Sequence, residues 1–96
     1  MLTGKQRAYL RGLANTQEPI LHVGKDGVGE NLVRQADDAL EARELIKGTV
    51  LQNCPITARE ALDAICAATG ADPVQTIGNR FVLYRAKKKD PVIGLP

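Results

Sequence analysis

The chain has 96 residues, of which 44% are hydrophobic and 25% charged, and its formal net charge is +2. This composition is that of one ordinary globular domain, which at this length folds without disulfides or metal. Because the chain has no apolar run near the ~20 residues that span a bilayer and no signal-peptide core, we expect a cytoplasmic protein with no membrane partner.

The first predicted element is a helix for which Thr3 is a suitable N-cap and which continues to about Asn15. Its predicted apolar stripe consists of Leu2, Tyr9 and Leu13. Another face carries two arginines four residues apart, Arg7 and Arg11. After a polar break that ends at Pro19, the run ILHV at 20–23 predicts a short buried strand.

The next six residues, GKDGVG at 24–29, hold three glycines between this strand and a helical pattern. Gly loses more backbone entropy on folding than any other residue. The cluster therefore indicates either a turn that other residues cannot make or the close approach of another backbone. From Glu30 to Arg43, apolar residues recur at three- and four-residue steps and predict an amphipathic helix with an acidic outer side.

Residues 44–51 (ELIKGTVL) predict the second strand, which Gly48 either weakens or marks with a bulge. Thr57 and Glu60 then form a capping box that opens a third helix, and Gly70 stands where the glycine that ends such a helix belongs. The predicted core side of this helix consists of Ala61, Leu62, Ile65, Cys66 and Ala68.

The segment VQTIGNRFVLYR at 74–85 predicts a hairpin with Gly78-Asn79 as its two-residue turn. Period-two alternation places three residues on one side of the last strand, Phe81, Leu83 and Arg85. The residues of the hairpin that we expect in the core are Phe81, Leu83 and Ile77. The aromatic residues that we expect to be available for stacking on bases are Tyr9 and Tyr84.

The predicted order is helix, strand, helix, strand, helix, strand, strand. Strand–helix–strand steps imply parallel pairs joined by right-handed crossovers, and the final hairpin adds an antiparallel pair. The predicted fold class is therefore α/β (α+β), a four-stranded mixed sheet with packed helices. We predict a single domain over residues 1–88 and a C-terminal tail, mobile or draped over the domain, at 89–96.

Charge is distributed unevenly along the chain. Residues 1–17 carry three bases and residues 80–89 carry five, with no acid in either segment, whereas residues 18–79 carry five bases and ten acids. If the fold brings the two ends together, they form one basic face that attracts polyanions. A solvated surface with a lysine-rich terminus that aids solubility is the alternative reading of the same pattern.

Side chains for catalysis or metal binding are scarce: the chain has no serine, one histidine (His22) and two cysteines (Cys54 and Cys66). GKDGVG lacks the lysine position of a P-loop and the glycine spacing of the dinucleotide-binding fingerprint. We therefore expect two buried thiols, no metal, no cofactor, no small-molecule substrate and no enzymatic activity.

Read as a binding element, Gly24-Lys25-Asp26-Gly27 is a GxxG sequence between a strand and a helix N-terminus. Small residues let a sugar-phosphate backbone approach, and the first amides of a helix have no partners within the helix. GxxG loops of KH domains hold nucleic-acid backbone in this way. A tight turn with no ligand is the alternative.

Four segments in order resemble the CRM domain (chloroplast RNA splicing and ribosome maturation): LTGKQRAYLRGLA, HVGKDGVGENLV, ELIK and GADPVQTIGNRFVLYR. The resemblance runs from Leu2 to about Lys88, and the length is that of the stand-alone bacterial members, which resemble the C-terminal domain of translation initiation factor three. It implies an α/β sheet with packed helices, RNA binding, and association with precursors of the large ribosomal subunit. We expect a monomer.

The resemblance assigns RNA contact to the GxxG loop, Gly24, Lys25, Asp26 and Gly27. The basic residues predicted to lie beside it and to contact phosphate are Lys5, Arg7 and Arg11. The rest of the predicted RNA-binding set is Arg80, Arg85, Lys87 and Lys88, with snorkelling from a sheet edge as the alternative for Arg85. The alternative function is a protein-interaction module that acts through the acidic helix 30–44.

Two residues depart from the family pattern. Asp26 is an acid where members commonly carry neutral or basic residues, and Gly29 stands where a capping Thr or Ser is usual. Glycine is only slightly worse than those residues as an N-cap, so we expect the helix to form with its amides more open to a ligand.

Overall fold

A computed structural model describes residues 2–96 of the chain, so Met1, with which the predicted domain begins, lies outside the described residues. The order of elements predicted from the sequence is confirmed. The elements are α1 (Gly4–Ala14), β1 (Leu21–Val23), α2 (Glu30–Arg43), β2 (Leu45–Val50), α3 (Ala58–Thr69), β3 (Asp72–Ile77) and β4 (Arg80–Tyr84).

The strands form one mixed sheet in the order β1-β2-β4-β3. β1 and β2 are parallel, and β4 is antiparallel to both β2 and β3. The segments after β1 and β2 and the β3–β4 turn therefore lie at the same end of the strands, which we call the loop end. The start of β2 and the end of β4 lie at the opposite end of the strands, the tail end, about 17 Å away at ~3.3 Å per strand residue.

Helices cover both faces of the sheet. α2 and α3 pack on the face that carries Leu21, Ile46 and Phe81, and we call it the α2–α3 face. α1 packs on the other face against β2, β3 and β4, so that face is the α1 face. The core on the α1 face consists of Leu2, Leu10, Ala14, Leu45, Val74, Val82 and Tyr84.

Local chemistry explains where the helices begin and end. The predicted capping box of α3 is confirmed, since Thr57 Oγ1 accepts the Glu60 N–H and the Glu60 carboxylate accepts the Thr57 N–H. Gly70 ends α3 with a φ of 76°, as a left-handed glycine does. The prediction of Thr3 as the cap of α1 is also confirmed, and Gln6 completes a second capping box there.

Several predicted core positions are wrong. Tyr9 and Leu13 are exposed, and the stripe that α1 buries runs through Leu2, Leu10 and Ala14 instead. The Ile77 side chain is 63% exposed, because it is the last residue of edge strand β3. Tyr84, predicted to be open to bases, is only 5% exposed within the α1-face core, and its burial raises the pKa of its hydroxyl.

Two further predictions, those for Ala68 and Gly48, are also wrong, because packing decides which face of a helix or strand is buried. Ala68 of α3 is exposed rather than in the core. Gly48 neither interrupts β2 nor forms a bulge, since it pairs in register with Phe81 and the Phe81 ring lies against it. The strand pairing of the sheet shifts register between Pro73 and Gln75 of β3 instead.

The C-terminal segment is draped over the domain. Ile93 and Leu95 pack on the α1-face core, and the Gln6 side-chain amide donates to the Pro96 carbonyl over 3.2 Å. The N–H groups of Val92 and Ile93 donate to the buried Glu44 carboxylate, each over 2.7 Å. The tail is therefore held both by apolar contact and by a side chain of the domain.

Candidate nucleic-acid interface

The GKDG loop is a tight turn at the loop end of the sheet. The Gly27 N–H donates to the Gly24 carbonyl over 3.0 Å, which leaves Lys25 and Asp26 as the exposed central residues of the turn. Gly27 has a φ of 65°, a conformation that side chains rarely adopt. The second glycine of the GxxG sequence is therefore required by the turn itself.

Gly24 has no such structural requirement. Its φ lies outside the left-handed region, and a Cβ built on it would meet Leu51 Cδ1 at 3.8 Å and Asn53 Oδ1 at 3.9 Å, which are ordinary contacts. A tight turn thus explains Gly27 but leaves Gly24 unexplained. Space for an approaching ligand backbone is the physical reason that fits Gly24.

The turn leads into the N-terminus of α2. Its N-cap, Gly29, has no side chain with which to accept a helix amide, and its backbone is extended (φ −107°, ψ −176°). The first amides of α2 therefore remain available at the positive end of the helix dipole. Two acids lie nearby, Asp26 and Glu30, so the local charge is mixed rather than purely positive.

A groove of about 650 Å³ connects the turn with the first two turns of α2. It is lined by His22, Gly24, Lys25, Asp26, Gly27, Gly29, Glu30, Asn31, Leu32, Gln35 and Asn53. Polar side chains and main-chain groups make up most of this lining, and Lys25 contributes a cation. The groove is open and polar, as a site for a charged backbone must be.

The basic residues of α1 do not lie beside the loop, which corrects the sequence-based prediction. The loop follows β1 at one edge of the sheet, whereas Arg7 lines a groove against β3 at the other edge. Arg11, one turn further on, shares that flank of α1, and Lys5 lies near its N-terminus, at the tail end. The basic residues of α1 therefore do not form one continuous surface with the loop.

Arg85, which follows β4, makes hydrogen bonds within the fold to residues of two helices. The Arg85 side chain is 16% exposed, and its guanidinium donates to the Asp37 carboxylate over 2.6 Å and to the Thr69 carbonyl over 2.8 Å. A third contact joins it to Glu41 at 3.5 Å. The hydrogen bond and charge of Arg85 lower the pKa of Asp37. Arg85 thus links β4 to α2 and α3, and its guanidinium is engaged within the fold rather than free for a ligand.

Arg85→Met should lower the melting temperature by about 5 °C, the equivalent of roughly one net hydrogen bond in a domain of this size. RNA affinity and its salt dependence should stay unchanged, because the guanidinium is engaged inside the fold. Thermal unfolding and RNA titration of the variant check this, with exposed Lys88→Met as the control for loss of a cation. A flatter salt dependence at an unchanged melting temperature would return Arg85 to the interface.

The remaining predicted residues lie at opposite ends. Arg80 begins β4 at the loop end, two strands from β1 and roughly 10 Å from the loop at ~4.8 Å per strand spacing. Lys87 and Lys88 follow β4 at the tail end, where the Lys87 N–H donates to Glu44. Arg80 is therefore within reach of a ligand on the loop, and the two lysines are not.

The residues weighed for catalysis are not brought together. His22 points to the α1 face, since its neighbours in β1 belong to the α2–α3 core, and Cys66 packs on that core. Burial and the charges of Asp63 and Asp72 raise the pKa of Cys66 to about 12, which leaves a protonated thiol. Both cysteines are free thiols, as predicted, but they are half-buried where burial was predicted.

Residues 2–96 contain no group of three or more His, Cys, Asp or Glu side chains placed to hold a metal ion. No helix in this part of the chain has the length and apolarity to cross a membrane. The acidic surface of α2, the basis of the alternative function, is partly used internally, because Asp37 and Glu41 are bound to Arg85.

Known proteins with the same sequence pattern and fold have been identified. The family described as the CRS1 / YhbY (CRM) domain matches residues 2–85. A Bacillus subtilis protein named "Probable RNA-binding protein YqeI" is 48% identical over 96 residues, 100% of both chains. A Haemophilus influenzae "RNA-binding protein" is 36% identical over 88 residues, 92% of this chain and 89% of that one. The solution structure of SAV1595 from Staphylococcus aureus aligns over 100% of both chains with 48% identity and a TM-score of 0.83.

Proposed function

The chain belongs to the CRS1 / YhbY (CRM) domain family, and on that premise we propose that it is a non-catalytic RNA-binding protein whose GKDG loop holds the RNA backbone. We propose further that its RNA is that of precursor large-subunit particles, whose assembly it assists as a cytoplasmic monomer. The relatives named as RNA-binding proteins support RNA binding, and the geometry of the turn and of the start of α2 supports the role of the loop. The ribosomal part follows from the resemblance of the whole chain to the stand-alone bacterial members.

Gly24 is the observation that carries the proposal. The turn requires a glycine at position 27 but not at position 24, where only ordinary contacts would meet a Cβ. Beside Gly24 stand Lys25 and the uncapped amides of α2, which are the donors and the cation that a phosphate needs. A protein-interaction role through α2 would leave this arrangement without a purpose.

Gly24→Asp is the sharpest test, because it adds a carboxylate where the phosphate would approach and leaves the turn unstrained. We expect it to weaken RNA binding at least tenfold, since a like charge within ~4 Å costs more than the roughly 1.4 kcal/mol that tenfold represents. Gly4→Asp is the matched control, because a Cβ at Gly4 meets nothing within 4 Å and Gly4 begins α1 at the tail end, away from the loop.

The measurement has two parts. Purified proteins are titrated against a fluorescent RNA transcript of the large-subunit precursor, and tagged proteins are sedimented in lysate gradients at low and moderate salt. The proposal requires wild type and Gly4→Asp to migrate with large-subunit particles while Gly24→Asp stays at the top. RNA binding without particle association would overturn the ribosomal part alone. Equal affinity of Gly24→Asp and wild type would remove the loop from the interface.

A further inference from the structure

A second groove lies on the α1 face at the loop end of the sheet. It has a volume of about 260 Å³ and is lined by Ala14, Asn15, Lys47, Gln75, Ile77, Arg80 and Val82. We call it the Lys47–Arg80 groove. Its two charged side chains are both cations, and within residues 2–96 no acidic side chain lines it. In this respect it differs from the groove at the GKDG loop, which contains Asp26 and Glu30.

The sheet register explains why these cations meet. Lys47 pairs with Val82 and Thr49 pairs with Arg80, so all four point to the α1 face in two adjacent strands. α1 ends at Ala14, beside this part of the sheet, and does not cover it further. Lys47 and Arg80 are left at the rim of an uncovered sheet surface, with the exposed Ile77 side chain as an apolar neighbour.

The groove is close to the GKDG loop. Val23, which precedes the loop, pairs with Val50, and the Val50 N–H donates to the Asn79 carbonyl next to Arg80. The loop and Arg80 are thus separated by two strand spacings, roughly 10 Å. That distance corresponds to about three nucleotides of a stacked strand at ~3.4 Å each.

Positive charge continues beyond the groove. Gln75 lines both the Lys47–Arg80 groove and a neighbouring groove of about 310 Å³ that contains Arg7 and Arg59. Arg59 is paired with Asp63 at 3.2 Å, so Arg7 is the cation that this groove offers. Arg7, Arg11 and Asn15 follow each other at four-residue spacing on one flank of α1. A polyanion that leaves the GKDG loop through the Lys47–Arg80 groove therefore meets further cations along α1.

From this arrangement we propose that the Lys47–Arg80 groove is a second RNA-contact site, which binds the phosphate backbone of the strand that leaves the GKDG loop. The proposal rests on the proposed function and adds a direction to it: the RNA passes from the loop around the end of the sheet onto the α1 face. Lys47 and Arg80 bind phosphates, and Ile77 packs against a ribose or base. These contacts are largely independent of sequence.

The test compares Lys47→Ala/Arg80→Ala with wild type in fluorescence anisotropy titrations of two labelled single-stranded RNA oligonucleotides, about 2 and about 12 nucleotides long. At ~3.4 Å per nucleotide, only the longer one spans the roughly 10 Å from the loop to Arg80. We expect the variant to lower the salt dependence of binding to the long RNA by about 1.4 in log–log slope, since each lost phosphate contact contributes about 0.7. Between about 50 and 200 mM salt, wild type then loses roughly sevenfold more affinity than the variant. Binding of the short RNA should be nearly unchanged.

Two controls separate this result from a general loss of charge or of folding. Arg34→Ala/Arg43→Ala removes the same charge from exposed positions of α2 outside both grooves and should keep the wild-type slope. Lys47→Arg/Arg80→Lys keeps both cations and should also keep it. Thermal unfolding confirms that each variant is folded.

Each failure has a different signature. If wild type binds the long RNA, Gly24→Asp weakens that binding and Lys47→Ala/Arg80→Ala leaves the slope unchanged, the groove is not a contact site and the proposed function stands. If Arg34→Ala/Arg43→Ala flattens the slope equally, the effect is one of net charge and the groove proposal is wrong. If wild type binds the large-subunit transcript but neither oligonucleotide, the groove proposal fails alone. If wild type binds none of the three RNAs, the proposed function fails, and the groove proposal fails with it.

Discussion

Gly48→Ala should lower the free energy of unfolding by about 3 kcal/mol, because the new methyl group has no space in the core. A Cβ at this position would stand 2.3 Å from Cζ and 2.6 Å from Cε1 of the Phe81 ring. The ring cannot withdraw, since Phe81 is fully buried between the sheet and α3. The strain would also reach the GKDG loop, because Gly48 pairs with Leu21 of β1 and the loop follows that strand.

Gly12→Ala is the matched control for this prediction. Gly12 lies in α1 with nothing within 4 Å of a built Cβ, so the same change should raise stability by up to about 1 kcal/mol through helix propensity. Urea unfolding of both variants measures the change in the free energy of unfolding. In thermal unfolding, Gly48→Ala should melt more than about 12 °C below wild type. Equal stability of Gly48→Ala and wild type would mean that Phe81 does not occupy this position in solution.

The order and type of the elements were predictable because they depend on local chemistry. Thr57 and Glu60 mark the start of α3 by two hydrogen bonds within four residues, and Gly70 marks its end by a single backbone conformation. The Gly78-Asn79 turn defines the last hairpin in the same local way. Strand–helix–strand connections then leave few topologies for a sheet of four strands, and the observed one is among them.

Burial depends on partners that are distant in sequence, and here the prediction was weaker. α1 has apolar residues on two flanks, and its docking against Val74 and Tyr84 selects Leu10 over Tyr9 and Leu13. Ile77 looks like a core residue in its own strand but ends at an open edge. Gly48 is a weak strand former when β2 is considered alone, and its role becomes clear only from its pairing with Phe81.

One part of the candidate site could be predicted from the sequence and the other could not. The GKDG loop was found from sequence because its glycines and its position before a helix are adjacent features. Sequence analysis identified Arg80 but not Lys47 as a binding residue, although strand alternation from Leu45 already placed Lys47 on the α1 face. Its meeting with Arg80 depends on the β2–β4 register, which no local signal specifies.

Glu44→Ala should lower the free energy of unfolding by about 3 kcal/mol and release the C-terminal tail, since hydrogen bonds to a charged group contribute about 1.5–3 kcal/mol each and are not additive. Glu44 is 0% exposed, and its carboxylate accepts the N–H groups of Lys87, Val92 and Ile93 at 2.9, 2.7 and 2.7 Å. Sequence reasoning placed Glu44 at the start of β2, yet its φ of 67° and ψ of −48° are close to a strained γ-turn.

The strain at Glu44 allows its two effects to be separated. A residue held at such a conformation costs about 1–3 kcal/mol, which the tail contacts of the carboxylate offset in the native protein. Glu44→Gly removes the carboxylate but also relieves the strain, so it should be less destabilising than Glu44→Ala. Faster hydrogen exchange of the Val92 and Ile93 amides in both variants reports the release of the tail. If Glu44→Gly matches Glu44→Ala in stability, the backbone at position 44 is not strained.

A pH titration of stability isolates the charge of Glu44. Burial raises the pKa of this carboxyl, but the N–H groups of Lys87, Ile93 and Val92 and the Lys87 cation lower it more, so its pKa in the folded protein is below the usual range. The stabilisation is therefore complete above the unfolded-state pKa of about 4.3 and is lost as the pH falls through the lower folded-state value.

Asp37, whose pKa is also lowered, titrates in the same direction. The difference between wild type and Glu44→Gln, measured by urea unfolding from about pH 7 downwards, removes that common contribution, and it should shrink as the pH falls. A pH-independent difference for Glu44→Gln would mean that the tail is held by the shape of the side chain rather than by its charge.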